Sequence, residues 1–169
     1  ITALAFMVHV GLSNAVTVRG GQAYGAADWT SLRQGALTGI ALSFGMAMLT
    51  VCLFLLAPKA LIWPFLNPND PASATIIVTG TALLACAALF QLADGMQVMA
   101  LGLLAGVQDT KVPMVLASVS YWLIGIPASY ALAFPLGFGP VGLWLGLVVG
   151  LAMAAISLMA RFWLRLPKG

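Results

Sequence analysis

Residues 112–160 read VPMVLASVSYWLIGIPASYALAFPLGFGPVGLWLGLVVGLAMAAISLMA, a stretch of 49 residues without one charged side chain. A helix that crosses the hydrocarbon core of a bilayer needs about 20 apolar residues, so this stretch is too long for a single crossing. It is interrupted at 134–140 by FPLGFGP, whose two prolines and two glycines are typical of a turn. The stretch therefore predicts two membrane-spanning helices, at about 114–133 and 141–162.

The rest of the chain is divided into similar apolar runs by its eleven charged residues. These runs predict three further helices, at about 2–18, 36–57 and 74–104, which makes five in all. The runs are continuously apolar and lack the alternating polarity of transmembrane β-strands. The predicted fold class is all-α, a polytopic transmembrane helical bundle that contacts the lipid bilayer.

Composition excludes most soluble classes. Of the 169 residues, 62% are hydrophobic and 7% are charged, whereas soluble domains carry about 25% charged residues. The net charge of +3 comes from seven scattered cations, too few for a surface that binds nucleic acid. Because the chain begins at Ile1 inside an apolar run, we expect it to be part of a longer protein.

The cations are distributed unevenly between the two sides of the predicted bundle. Six fall on the connections after the first and third helices or in the C-terminal tail: Arg19, Arg33, Lys111, Arg161, Arg165 and Lys168. Lys59 falls on the other side. Cytoplasmic connections are enriched in Lys and Arg, so the C-terminus is predicted to be cytoplasmic, in a multi-pass protein of a bacterial inner membrane.

Asp94 is the one charged residue far from the ends of a predicted span, and Gln91 and Gln97 lie three residues before and after it. At 3.6 residues per turn the three side chains share an arc of about 120°. A carboxylate in the middle of a membrane helix costs about 2.5–3.5 kcal/mol and is by default a functional residue. One interpretation is a site for Na⁺ or a proton in a polar cavity, and the alternative is a structural carboxyl that bonds to a neighbouring helix.

Two of the polar residues in the first predicted span are candidates for a functional role. His9 has a charge that changes near neutral pH, so one interpretation is a proton relay. The preferred interpretation is a hydrogen bond to another helix. Asn14 is a candidate for lining the same cavity as Asp94.

The fourth predicted helix contains Pro127, which removes a backbone hydrogen bond and predicts a kink or hinge. Tyr121 in the same helix is a candidate for contacting an aromatic substrate or for packing. Glycines spaced by four, at 102 and 106 and at 142, 146 and 150, predict close packing of helices.

The sequence contains few side chains that could act in catalysis or bind a metal ion. It has one His and no Glu, and no catalytic or metal-ligand spacing occurs. The sequence therefore predicts neither an enzyme nor a cofactor.

Four segments, in order, resemble the multidrug and toxic compound extrusion (MATE) family. Residues 16–28, VTVRGGQAYGAAD, are similar to the family stretch T-x-R-V-G-Q-x-x-G-A-G. Residues 90–98, FQLADGMQV, are similar to F-Q-x-x-D-x-x-Q-V. Residues 102–113, GLLAGVQDTKVP, are similar to G-x-L-R-G-x-x-D-T-R-x-P, and residues 121–127, YWLIGIP, to Y-W-x-I-G-x-P.

This resemblance implies a protein of twelve helices in two six-helix lobes, of which the chain supplies helices eight to twelve, most of the C-terminal lobe. It implies a NorM-type antiporter that expels cationic or amphipathic drugs in exchange for Na⁺ or H⁺, with the N-terminal lobe as partner. An acid at the position of Asp94 is implicated in cation coupling in that branch. Phe90 stands where the family often has Tyr, so a hydroxyl that could bind the cation is absent. Ala105 stands where the family usually has Arg.

Two alternatives remain beside the antiporter. A flippase of lipid-linked oligosaccharides shares the lobe architecture, but such proteins tend to place several cations in the central cavity, and here no Lys or Arg lies mid-span. The other alternative is a structural or channel-type membrane subunit of a different class, which predicts electrogenic flux without exchange.

Overall fold

A computed structural model of the chain describes residues 2–65 and 73–167. Its helices are α1 (Thr2–Gly25), α2 (Trp29–Leu56), α3 (Pro58–Ile62), α4 (Ser73–Gly106), α5 (Lys111–Val119), α6 (Ile126–Ala133) and α7 (Gly139–Arg165). A 3₁₀ turn, Trp63–Phe65, follows α3, and a π-helical segment, Ser120–Gly125, joins α5 to α6. The described residues contain no strand, which confirms the predicted all-α fold.

Four helical segments in the described residues are long and apolar enough to cross a membrane. They are Trp29–Leu56, Thr75–Gly106, Lys111–Ala133 and Gly139–Arg165, the third of which runs through α5, the π-helical segment and α6. The predicted first span corresponds to α1, which is less apolar because His9, Asn14 and Arg19 lie within it.

The helices extend beyond the ranges predicted from the charges. α1 continues past residue 18 to Gly25, and α2 begins at Trp29 rather than at 36. The carboxylate of Asp28 caps α2 by accepting a hydrogen bond from the backbone N–H of Ser31 at 3.0 Å. Hydrogen bonds from the side chain and backbone of Ser31 also hold the pKa of the Asp28 carboxyl below its usual value. Charged residues indicate where a helix leaves the hydrocarbon core, which is not where the helix ends.

α4 is the central helix and packs against α1, α2 and α7. The hydroxyl of Ser13 donates to the carbonyl of Val98 at 2.8 Å, and the hydroxyl of Thr17 donates to the carbonyl of Gly102 at 2.9 Å. A Cβ at Gly102 would overlap Ser13. This confirms that the spacing of Gly102 and Gly106 marks a helix-packing seam.

The second glycine series packs α7 against the helix before it. A Cβ at Gly142 would lie 2.6 Å from the carbonyl of Leu132, and one at Gly146 would overlap the backbone of Ser129. Gly150 meets the backbone of Gly125. The prediction of close packing is confirmed here too, since only hydrogen fits at these positions.

One end of the bundle carries most of the described cations. The Arg33 guanidinium donates to the carbonyl of Pro167 at 2.9 Å, and Arg161 and Arg165 pair with Asp109, which follows α4. Lys168 lies outside the described residues. Arg161 and Arg165 are not only markers of orientation, because the fold joins both to one buried carboxylate.

Candidate functional site around Asp94

Asp94 lies well inside α4, within the segment Thr75–Gly106 that is long enough to span a membrane. Its side chain is half-buried. Among the described residues, no cation pairs with its carboxylate and no side chain donates a hydrogen bond to it. The carboxylate is therefore free to bind a proton or a small cation from the exposed side.

The two glutamines near Asp94, Gln97 and Gln91, lie on different faces of α4. Gln97, 5% exposed, donates its side-chain amide to the hydroxyl of Tyr121. Asp94 lies three residues before Gln97 on α4, so its carboxyl, the Gln97 amide and the Tyr121 phenol belong to the same side of α4, next to the π-helical segment. The structure thus brings Tyr121, a candidate from a different predicted helix, to the side of α4 that carries Asp94 and Gln97.

Gln91 belongs to the other surface of α4. It is 1% exposed and precedes Gly95 by one helical turn, so the two residues share a face. Its amide nitrogen has no hydrogen-bond partner among the described residues. The structure does not bring Gln91 and Gln97 together, although the sequence places both within one arc.

His9 lies against that same face of α4. Its Nδ1 is 3.0 Å from the hydroxyl of Ser43 on α2, and this hydroxyl donates to the carbonyl of Gly95 at 3.3 Å. His9 therefore makes the hydrogen bond to another helix that the sequence favoured over a proton relay. Ser43 was not predicted as a site residue, and its only signal is that it is the single Ser within its predicted span.

The remaining candidates lie at the edges of the cluster. The Phe90 ring packs edge-on against Trp144 of α7, with centroids 5.5 Å apart. Asn14 is exposed on α1 and makes no hydrogen bond to the other candidates among the described residues. Their roles in lining a cavity stay predictions.

Pro127 is the second residue of α6, which begins where the π-helical segment ends. The backbone N–H of Ile126 bonds to the carbonyl of Tyr121, five residues earlier, where an α-helix would use four. Pro127 has no N–H to continue the ladder, and Gly125 next to it packs against Gly150. The irregular turn therefore lies upstream of the proline, and it carries Tyr121.

A groove of about 510 Å³ opens between α1 and α2, but it lies away from Asp94 and is lined instead by residues such as Arg19, Asp28 and Gln34. No group of three or more His, Cys, Asp or Glu side chains within the described ranges is arranged to hold a metal ion. The candidate site is thus a single carboxylate with amide and phenol neighbours.

Comparison with known proteins decides the family. The model of the MatE family matches residues 1–131. The chain belongs to the MatE family. This MatE chain is 42% identical to the "Probable multidrug resistance protein NorM" of Rhizobium meliloti, over 95% of the chain and 34% of that protein. It is also 42% identical to the NorM protein of Deinococcus radiodurans, over 97% of the chain and 36% of the relative.

Solved structures share the fold of the MatE chain. The eukaryotic MATE transporter AtDTX14 superposes with a TM-score of 0.83 at 18% identity, covering 97% of this chain and 35% of that one. A MOP superfamily transporter from Pyrococcus furiosus gives 0.84 at 22% identity, covering 98% and 36%. The MatE chain is a multi-pass membrane protein that spans about a third of the length of the relatives it matches.

Proposed function

We propose that this chain forms most of one lobe of a multidrug efflux transporter, which exchanges Na⁺ or H⁺ for cationic or amphipathic drugs. The relatives named as multidrug resistance proteins support the efflux of drugs. The single observation that carries the coupling site is Asp94, a half-buried carboxylate inside α4 with no cation paired to it among the described residues.

The chemistry of the Asp94 cluster suits a coupling ion. A carboxylate binds Na⁺ or a proton, and the amide oxygen of Gln97, which has no partner among the described residues, is an oxygen ligand of the kind that Na⁺ prefers. The hydroxyl of Tyr121, which accepts a hydrogen bond from the Gln97 amide nitrogen, supplies a further oxygen atom beside α4. In this proposal Asp94 is the cation-coupling residue, and Gln97 and Tyr121 line the cavity.

Exchange follows from linkage between the two ligands. Outward-facing protein binds the cation at Asp94, and that state has a lower affinity for drug, so drug leaves. Each ligand shifts the equilibrium only by its difference in affinity for the two states. The lobe then moves against the opposing N-terminal lobe to face inward, with Pro127 and the π-helical segment as the hinge.

We place the cation-rich end of the bundle, with the C-terminus, in the cytoplasm of a bacterial cell whose inner membrane holds the protein. Support comes from Arg33, Arg161 and Arg165, which lie at this end, as the bias of cytoplasmic connections requires.

The test is drug-driven cation exchange in proteoliposomes that contain the full-length protein. Asp94→Asn keeps the shape of the side chain but removes its charge, and we expect exchange to be lost in both Na⁺-driven and H⁺-driven arms. Asp28→Asn is the matched control because it makes the same chemical change at an exposed helix cap, where Asn caps as well as Asp. Unchanged coupling in Asp94→Asn would falsify the assignment, and the arm that drives exchange in the unmodified protein names the ion.

A further inference from the structure

Behind Asp94, three helices meet at a buried imidazole. His9 is 0% exposed and Ser43 is 1% exposed. The hydroxyl of Ser43 lies 3.0 Å from His9 Nδ1 and 3.3 Å from the carbonyl oxygen of Gly95. All three groups are satisfied when His9 donates its Nδ1 proton to Ser43 and Ser43 donates its own proton to Gly95. A hydrogen-bonded chain thus joins α1 and α2 to the backbone of α4.

The imidazole also occupies the space where a side chain at position 95 would stand. A Cβ built on Gly95 would lie 2.9 Å from both Cε1 and Nε2 of the His9 ring and 3.1 Å from its Nδ1. Such distances are shorter than van der Waals contact, so the ring and any Cβ exclude each other. Gly95 is the residue directly after Asp94, and the ring therefore packs on the turn of α4 that carries the carboxyl.

We propose that His9 is a positioning residue for Asp94: its ring, seated on Gly95 and bonded through Ser43, fixes the turn that presents the carboxyl to the coupling ion. This inference rests on the proposed function of Asp94. Consecutive residues of an α-helix point about 100° apart, so the ring on Gly95 and the side chain of Asp94 lie on different faces of one α4 turn, and His9 acts on the ion through the backbone. Tyr121 of the π-helical segment contacts Gln97 and is the titratable group packed against this part of α4 from that segment.

A second observation supports a polar role for this ring over simple filling of space. Nε2 of His9 has no partner among the described residues, and neither has the amide nitrogen of Gln91, one turn before Gly95 on the same face. One is an acceptor in this tautomer and the other a donor. Buried polar groups are rarely left unpaired, so each of these two atoms is available to a polar partner on this face of α4. An apolar ring of the same size would not provide this acceptor.

The experiment measures the cation concentration that half-saturates drug exchange in the full-length protein. Gly95→Ala adds a methyl group that displaces the ring, and His9→Ala removes the ring. His9 and Gly95 are in direct contact. Each variant is therefore expected to raise the half-saturating concentration by about fivefold or more. The double variant should be no worse than His9→Ala alone, because the added methyl group then has space. Ser43→Ala removes the bridging hydroxyl without adding volume and should shift the same parameter by less.

Gly45→Ala is the matched control, since a Cβ at that position of α2 meets nothing within 4 Å. It should leave the half-saturating concentration unchanged. If Gly95→Ala, His9→Ala and Ser43→Ala lower only the amount or melting temperature of the protein and leave that concentration unchanged, the positioning role is overturned.

A second readout does not depend on transport. Dicyclohexylcarbodiimide reacts with protonated carboxyls in membranes, and its labelling of Asp94 is measured by mass spectrometry across pH. We expect the midpoint of labelling to move in Gly95→Ala and His9→Ala but not in Gly45→Ala. An unmoved midpoint overturns the positioning role even if the proposed function holds. Absence of exchange in the unmodified protein, with a moved midpoint, overturns the proposed function alone.

Discussion

The guanidinium of Arg161 lies 2.6 Å from a carboxylate oxygen of Asp109, which is 52 residues earlier in the chain. Asp109 follows α4 and is only 5% exposed, whereas Arg161 belongs to the last turns of α7. Arg165 adds a longer contact of 3.4 Å to the same oxygen. This ion pair ties the end of the central helix to the end of the last one.

Asp109→Asn is therefore expected to destabilise the protein. Loss of a hydrogen bond between charged groups at a buried carboxylate costs about 1.5–3 kcal/mol. The melting temperature of the full-length protein in detergent measures this loss. Arg165→Gln is the control, because its side chain is 53% exposed and its contact is long, so its effect should be much smaller. Equal effects of the two variants would contradict the assignment.

Gly146→Ala is expected to separate α6 from α7. The added methyl group would overlap the backbone of Ser129, which cannot move aside as a flexible side chain can. Overpacking of this kind costs about 1–3 kcal/mol. Gly35→Ala makes the same change where a Cβ meets nothing within 4 Å, so it should be neutral or stabilising. Thermal unfolding measures both effects, and equal melting temperatures for the two variants would contradict the prediction.

Tyr121→Phe removes the hydroxyl that accepts the hydrogen bond from Gln97. Because Gln97 is buried, its amide is left without this partner, at a cost of about 1–3 kcal/mol. We expect a lower melting temperature and weaker drug or cation binding, measured by calorimetry. Tyr130→Phe is the control, since Tyr130 is 63% exposed. If Gln97→Leu abolishes the effect of Tyr121→Phe, the hydrogen bond is its cause; full additivity would argue against it.

Pro127→Ala tests the hinge. The new N–H can bond to the carbonyl of the preceding turn and regularise the helix, so the melting temperature should not fall while the maximal exchange rate drops several-fold. Pro140→Ala is the control, because Pro140 lies in the first turn of α7, where a missing N–H leaves no bond unmade. An unchanged exchange rate in Pro127→Ala would show that the helix bends without this residue.

Much of the fold follows from local features of the sequence. The apolar runs and the break at 134–140 predicted an all-α membrane bundle, because a chain that crosses lipid must satisfy its backbone internally. The spacing of Gly142, Gly146 and Gly150 indicated a close packing seam. Helix ends could be predicted less well from the sequence, because Arg19 lies within α1 and Arg33 within α2, on turns that continue beyond the apolar core.

The candidate site could be predicted only in part from the sequence. Asp94 is evident from sequence because a lone charge in an apolar run is costly and easily seen. The pairing of Gln97 with Tyr121 could not be predicted from the sequence, because it depends on the π-helical turn that carries Tyr121. Ser43 gave no distinctive signal, since Thr38 and Thr50 are further hydroxyl residues of the same predicted span, and Asp109 was singled out only as part of the motif at 102–113.

By itself, the sequence determined that this chain is a helical membrane bundle, that one acid lies inside a span, and which family it resembles. Those properties depend on the transfer free energy of each residue and on short motifs, and both are local. Only the tertiary structure decided that His9 packs on Gly95, that Gln91 and Gln97 face different helices, and that Asp109 is paired. These depend on which helix lies against which face, and that is set by the packing of residues far apart in the chain.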